Sequence, residues 1–312
     1  MSNLDYYQYY GQNSVEDQIV QNIVSFIDYG LLELGAYFNI FKGQTDYLGN
    51  NVSRYRTVDQ PGIEVGKVWE GLKHNVIWET GVNLKPTGLT SPIGISGIYV
   101  NDVFYPNGST VIGNGYYFDY SLNRVIFNNK IASASKVEVE HSLRHINVYS
   151  TDTNFYRDAI AFYNDRNNFF VSGSGIDNTN PRSRVYLPSI FIYLKNLGSS
   201  PVEIGSRAKY VEAEIEFDIF TQSSQDRKRL TDICFWLEEK SIGTFNVNNA
   251  PKPLSISGTL NSNRLLYNDL INQYYYRTCR FGDNFTITRN TNLVLPIQNV
   301  TVRGTFEIPL YP

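Results

Sequence analysis

One stretch restricts the fold more than any other: residues 208–243. Within it Val211, Ala213, Ile215, Phe217 and Ile219 alternate with Glu212, Glu214, Glu216 and Asp218 without a break. Period two is the pattern of a strand, whose successive side chains point to opposite faces. The run therefore predicts one apolar face and one face carrying carboxylates spaced about 7 Å apart. Thr221, Gln222, Ser223 and Ser224 end it, and either serine suits a helix N-cap. Beyond them Leu230, Ile233, Cys234 and Leu237 fall at i, i+3, i+4 and i+7, an apolar stripe able to dock on the strand. Gly243 is placed to close that helix in a left-handed conformation.

The rest of the chain is arranged around this unit. Residues 1–13 are rich in Tyr, Asn and Gln and predict an arm that orders only when docked. Ser14 with Asp17 forms a capping-box pattern, and Ile19, Val20, Ile23, Val24, Ile27 and Leu31 recur at helical spacing. A helix over 15–34 follows, with Gly30 weakening its last turn. Between 42 and 90 glycines cut the chain into short pieces, of which 68–69 and 76–78 read as strands. Residues 92–149 read as a compact β module. Its first hairpin turns on Asn101-Asp102, Asn114-Gly115 marks a second turn, and 116–120 pairs with 125–127 across 121–124. A short helix at 155–163 and an exposed loop at 172–181 follow. Strands are expected at 185–187, 190–194, 245–247, 274–281, 285–288, 293–295 and 300–308, with a short helix at 264–267. The expected class is α+β: an antiparallel sheet packed with helices, residues 14–91 and 150–312 forming one discontinuous domain, 1–13 an arm, and 92–149 an inserted all-β module.

Composition narrows the function. Charged residues make up 18% of the 312, and the net charge is −3, so no basic surface for nucleic acid is indicated. No window approaches a membrane span, and the first twenty residues lack the basic-then-apolar pattern of a signal peptide. Cys234 and Cys279 do not make a disulfide framework, and Cys234 lies on the apolar stripe as a buried thiol would. A reducing compartment suits such a chain.

Candidate chemistry is sparse. Paired carboxylates run glycoside hydrolysis when about 5 to 10 Å apart. Spacing alone permits that for Glu212, Glu214, Glu216 and Asp218, but one strand face without a signalled cleft favours a solvated or channel-lining strip. His141 and His145 are four apart in a strand pattern, about 13 Å, too far to share a metal, and read as surface or hairpin-flank residues together with His74. Gly113-Asn114-Gly115 and Gly173-Ser174-Gly175 lack the rest of any phosphate-binding fingerprint and read as turns. No cofactor, metal or catalytic residue is expected. In a chain with 24 Tyr and 18 Phe, the aromatics Tyr99, Phe104 and Tyr105 of the β module are candidate partner contacts.

Three runs carry a resemblance. Residues 214–222 (EIEFDIFTQ) lead into 226–232 (DRKRLTD), and 302–308 (VRGTFEI) closes the chain. With the order of elements, and a composition rich in Tyr and Asn, they resemble the tail-terminator and neck-connector structural proteins of tailed bacteriophages. The likeness covers about residues 14–40 and 183–310, although terminators are usually smaller. What it implies is a terminator-like sheet packed with helices and a non-enzymatic virion protein, assembled in the host cytoplasm. It further implies a ring of copies, expected to be a hexamer, that joins tail to head. Its partners would be itself and other neck, tail and head proteins, with DNA passing through without specific binding and no membrane involved. Glu212, Glu214, Glu216 and Asp218 would then form a lumen or interface strip. A carbohydrate-binding, receptor-binding or baseplate tail protein is the alternative class, and a glycoside hydrolase a further one.

Overall fold

A computed structural model of the chain describes residues 13–46, 49–151, 186–201, 209–290 and 298–310. The fold is mostly β, 38% strand against 16% helix, with three helices among the described residues. This overturns the α+β, terminator-like expectation: the sheets curl into half-barrels and are not a flat layer covered by helices. The reason lies in strand length. Much of the extra strand comes in pieces of two to four residues, too short for an alternating pattern to show. The expectations for the arm, 155–163, 172–181 and 293–295 fall outside the described residues. Among the described residues no helix is long and apolar enough to cross a membrane.

The chain divides into two compact units. The first comprises Gly30–Ile146 and Pro251–Leu266. It holds nine strands: β1 (Tyr37–Ile40), β2 (Arg54–Thr57), β3 (Val68–Glu70), β4 (Gly97–Val100), β5 (Val103–Pro106), β6 (Tyr116–Asp119), β7 (Arg124–Phe127), β8 (Val137–Glu138) and β9 (His141–Arg144). Strands β1 and β9 pair with each other. The other seven form one antiparallel sheet in the order β5-β4-β8-β2-β3-β7-β6. The β4–β5 hairpin turns as expected on Asn101 and Asp102, at φ 49° and 68°, the left-handed pair a tight two-residue turn requires. Tyr55, Trp69, Ile98, Val125, Phe127 and Val137 make the centre of its core. Because β8 pairs with β2 and β7 with β3, residues 92–149 share their sheet with residues 54–70, and the compact unit is wider than the expected module. Residues 76–78 are not a strand; Val76 makes an isolated bridge to Leu143.

The second unit comprises Met1–Tyr29, Asn147–Ala250 and Tyr267–Pro312. The helix α1 (Val15–Glu33) begins at the expected capping box. Ser14 N and Oγ donate to Asp17 Oδ2 at 2.9 and 2.8 Å, and Asp17 N donates back to Ser14 Oγ at 3.0 Å. The remaining elements are β10 (Asn147–Ser150), β11 (Ser189–Pro201), β12 (Lys209–Thr221), α2 (Ser224–Phe235), β13 (Ser241–Phe245), α3 (Tyr267–Tyr274), β14 (Tyr275–Phe281), β15 (Thr286–Asn290) and β16 (Gln298–Leu310). The sheet runs β10-β11-β12-β16-β14-β13, and β15 lies on β16 beside β14. Only β10 and β11 are parallel; β11, β12 and β16, thirteen residues each, form its long antiparallel spine.

Two boundaries differ from expectation. The helix after β12 ends at Phe235, with Trp236 as its C-cap, so Gly243 does not close it. Gly243 sits instead in β13, where a Cβ would lie 2.9 Å from Ile271 Cγ2 of α3. The short helix expected at 264–267 forms later, as α3.

Candidate functional site

The central strand β12 lies between β11 and β16, and its apolar face is built as the alternation predicts: Val211, Ala213, Ile215, Phe217 and Ile219 are all buried. The helix α2 touches β12 and β16 and buries Leu230 and Cys234. Ser223 is its N-cap, with Oγ accepting from Gln225 N at 3.2 Å and Asp226 N at 3.4 Å. Burial pushes the Cys234 thiol up to about 12, so it is a packing group and not a nucleophile at neutral pH. Cys279 is buried too, its thiol pushed up by burial to about 11.

The opposite face of β12 does not form one uniform strip. Glu212 is exposed and stands directly across from Glu307 of β16. Glu214 is half-buried and accepts from Lys195 Nζ at 2.9 Å and Asn196 Nδ2 at 3.1 Å. The Lys195 hydrogen bond holds its carboxyl below the usual range. Glu216 and Asp218, by contrast, are 1% and 0% exposed. Glu216 Oε2 accepts from Arg303 Nε at 2.9 Å, and Asp218 Oδ1 accepts from Thr301 Oγ1 at 2.5 Å. In each case the partner stands opposite on β16. Alternation gave the face of each residue correctly but not its depth. Phe191 and Phe220, buried on the same side of the sheet, mark how far the cover extends.

At the far end of α2 the chain does the reverse and exposes rings. Trp236 is 81% exposed, with Phe235 beside it partly exposed. The sequence reading missed this pair because the helical stripe was extended through Leu237 to Gly243. Leu237 is buried as expected, but on the turn past the helix, where its N–H donates to Cys234 O at 3.3 Å.

In the other unit the three candidate contact aromatics differ from one another. Phe104 on β5 is exposed, as is its neighbour Val103. Tyr99 is half-buried, with its ring 5.0 Å from Phe104 and Lys42 Nζ 4.9 Å above it. Tyr105 is half-buried and packs against the core. Only Phe104 of the three therefore presents an open ring.

The histidines also need correction. His141 is buried in β9, not at a surface or hairpin flank. Its Nδ1 donates to Val139 O at 3.1 Å, and burial lowers its pKa to about 4. His74 Nε2 lies 2.5 Å from Glu70 Oε1, and Glu70 Oε2 accepts from Arg124 Nε and Nη2 at 2.9 and 2.6 Å. Sequence reasoning missed this cluster, although register makes it simple: Arg56, Glu70, Arg124 and Asp119 stand across from one another on β2, β3, β7 and β6 with alternating sign. Asp119 Oδ1 in turn accepts from Ser121 Oγ and N at 2.5 and 2.9 Å, fixing the β6–β7 turn. These are structural pairings. Among the described residues no group of three or more His, Cys, Asp or Glu is placed to hold a metal ion.

No protein-family model matches the chain, and no curated protein matches it.

Proposed function

We propose that this chain is a non-enzymatic structural protein of a tailed-bacteriophage virion, acting in the neck or tail by binding copies of itself and neighbouring virion proteins. The observation that carries the reading is the Phe235–Trp236 outcrop. A tryptophan 81% exposed beside a second ring costs a soluble monomer and is what protein–protein interfaces use as an anchor. It stands at the end of α2, just past the 226–232 run that helps carry the resemblance. The other two runs support it further, because residues 214–217 and 302–305, one part of each run, stand across from one another in register on β12 and β16. Glu212 and Glu214 are the members of the acidic strip able to face a channel, where they would repel phosphate and let DNA pass unbound. Negative-stain images of the purified protein test the proposal: closed rings are the expected result, and single particles at all concentrations would overturn it.

A second reading has its own observation. Val103 and Phe104 are exposed on β5, an edge strand of its sheet, as a sugar- or receptor-binding surface would require. Tight binding on a glycan array, lost in Phe104→Ala, would favour it over the assembly reading.

A further inference from the structure

Among the described residues, the spine of the second unit leaves two strand edges open on opposite sides. On one side β10 covers only residues 189–192 of β11, and from there to the strand's end no described strand pairs with its outer edge. Lys195 to Ser200 are all exposed. On the other side β15 pairs, among the described residues, with β16 alone, and Thr286, Ile287, Thr288 and Arg289 are exposed one after another. A strand with four successive exposed side chains buries little on its own, yet it is rich in the β-branched residues that strands favour.

The edge of β15 carries one charge, Arg289, and that of β11 is lightly guarded. A bulge and a lysine are the usual protection for an edge. Both occur at Lys195, but its ammonium is turned across the sheet to Glu214 at 2.9 Å. Beyond it Asn196, Leu197, Gly198, Ser199 and Ser200 carry no charge.

We propose that the open edge of β11 pairs with the open edge of β15 from a second copy of this chain, so that neighbouring copies share one continuous antiparallel sheet. Strand direction agrees. The pairs β11–β12, β12–β16 and β16–β15 are each antiparallel, so β15 runs opposite to β11. A neighbour related by rotation about an axis near the strand direction keeps that relation, and the new pair is antiparallel as well. The contact is head-to-tail and covers both edges of every copy, whereas a two-fold contact of β11 on β11 leaves β15 open.

Side chains select a register. Leu197 is 48% exposed and Ile287 is 43% exposed. Leu197 stands across from Ala213 on the apolar face of β12, and Ile287 stands across from Val302, itself across from Phe217 on that same face. Placing Leu197 beside Ile287 makes a cross-strand apolar pair from two otherwise wet residues. On β16 the level of Ile287 is Val302 and the level of Leu197 is Phe306. The stagger is thus about 13 Å along the strands for about 19 Å from β11 of one copy to β11 of the next, three spacings within a copy and one at the junction, at about 3.3 Å per residue and 4.8 Å per strand. That slope tilts the strands by about 35°, within the range at which sheets close into barrels. The edges and the stagger are those of a closed assembly.

The inference rests on the self-association reading above, and its test separates the two. Leu197→Cys and Ile287→Cys are made singly; both sites are exposed, and the native cysteines are buried. After melting curves establish that each variant folds like the parent, the two are mixed and oxidised. The mixture should give a covalent dimer on a non-reducing gel, neither single variant should, and a chain carrying both cysteines should give a ladder. A dimer from Leu197→Cys alone would overturn the pairing in favour of a two-fold contact. No cross-link, while light scattering still shows an oligomer, would overturn the edge pairing and leave the assembly reading intact. A monomer by scattering with no cross-link would overturn both.

Discussion

Arg303 Nε donates to Glu216 Oε2 at 2.9 Å, across a pair of residues that stand in register on β16 and β12. The carboxylate is almost wholly buried while the arginine side chain keeps 41% of its exposure, so the guanidinium reaches inward from the surface to hold a charge in the interior. Two positions further along, Thr301 does the same for Asp218 by a neutral hydroxyl. A row that the sequence presents as uniform is therefore two exposed or half-exposed carboxylates followed by two enclosed ones.

Replacement of the strip should split accordingly. Asp218→Asn keeps the size but weakens the charge-assisted bond to Thr301, and Glu216→Leu strips Arg303 of its buried acceptor. Each should destabilise the fold by about 1–3 kcal/mol. Glu212→Gln and Glu214→Gln should leave the urea midpoint where it is, because exposed pairs contribute little. Equal midpoints for all four single variants would show that the buried half does not hold the sheet as described.

His141 gives the fold a pH dependence that can be measured. In the unfolded chain it titrates near 6.5, whereas in β9 burial holds its pKa at about 4. The folded state therefore binds fewer protons between those values, and stability falls as pH drops through that window. The full loss, reached below about pH 4, is about 3 kcal/mol by linkage. His141→Gln should flatten the slope between pH 6.5 and 4 in urea titrations. An unchanged slope would place the pH dependence elsewhere.

The parts of this fold that were legible in the sequence are those where a local rule acts alone. Ser14 and Asp17 announce α1, Asn101-Asp102 announces the β4–β5 turn, and the alternation in 211–219 announces β12 and its apolar face. What stayed hidden depends on neighbours distant in sequence. Glu216 reads like Glu212 because depth is set by what covers the sheet, not by period. Trp236 reads as part of a helix because no glycine or proline stops α2 at Phe235. The β class itself was missed because β1 and β2, at four residues each, exist only through their partners β9, β3 and β8.

The cap of α2 can be tested by two adjacent serines. Ser223 Oγ accepts from two backbone N–H groups, while Ser224 is the first helical residue and exposed. Ser223→Ala should cost about 1 kcal/mol and Ser224→Ala close to nothing. The reverse order would shift the helix start by one residue.

Gly304 offers a packing test on β16. A Cβ at this position would meet the ring of Phe285 at 2.1 Å, so the ring lies flat against a bare backbone. That ring also packs 6.4 Å from Phe217 and 6.1 Å from Phe281, leaving it little room to withdraw. Gly304→Ala should therefore destabilise by about 1–3 kcal/mol through overpacking. A neutral result would mean that the ring can swing aside.

Trp236 separates stability from assembly. It lies past the last turn of α2, 81% exposed, so Trp236→Ser removes almost no intrachain packing and should leave the urea midpoint unchanged. Leu230, on the same helix, is 1% exposed, and Leu230→Ala should cost about 2–5 kcal/mol through the cavity left behind. If the exposed indole anchors a partner copy, its loss acts on association alone: light scattering should show smaller particles at equal concentration, with far-UV circular dichroism unaltered. Buried aromatic anchors at interfaces contribute about 2 kcal/mol or more when truncated, so the shift should exceed tenfold in concentration. A Trp236→Ser protein that assembles like the parent would remove the outcrop from the interface and leave the strand edges to hold the copies together.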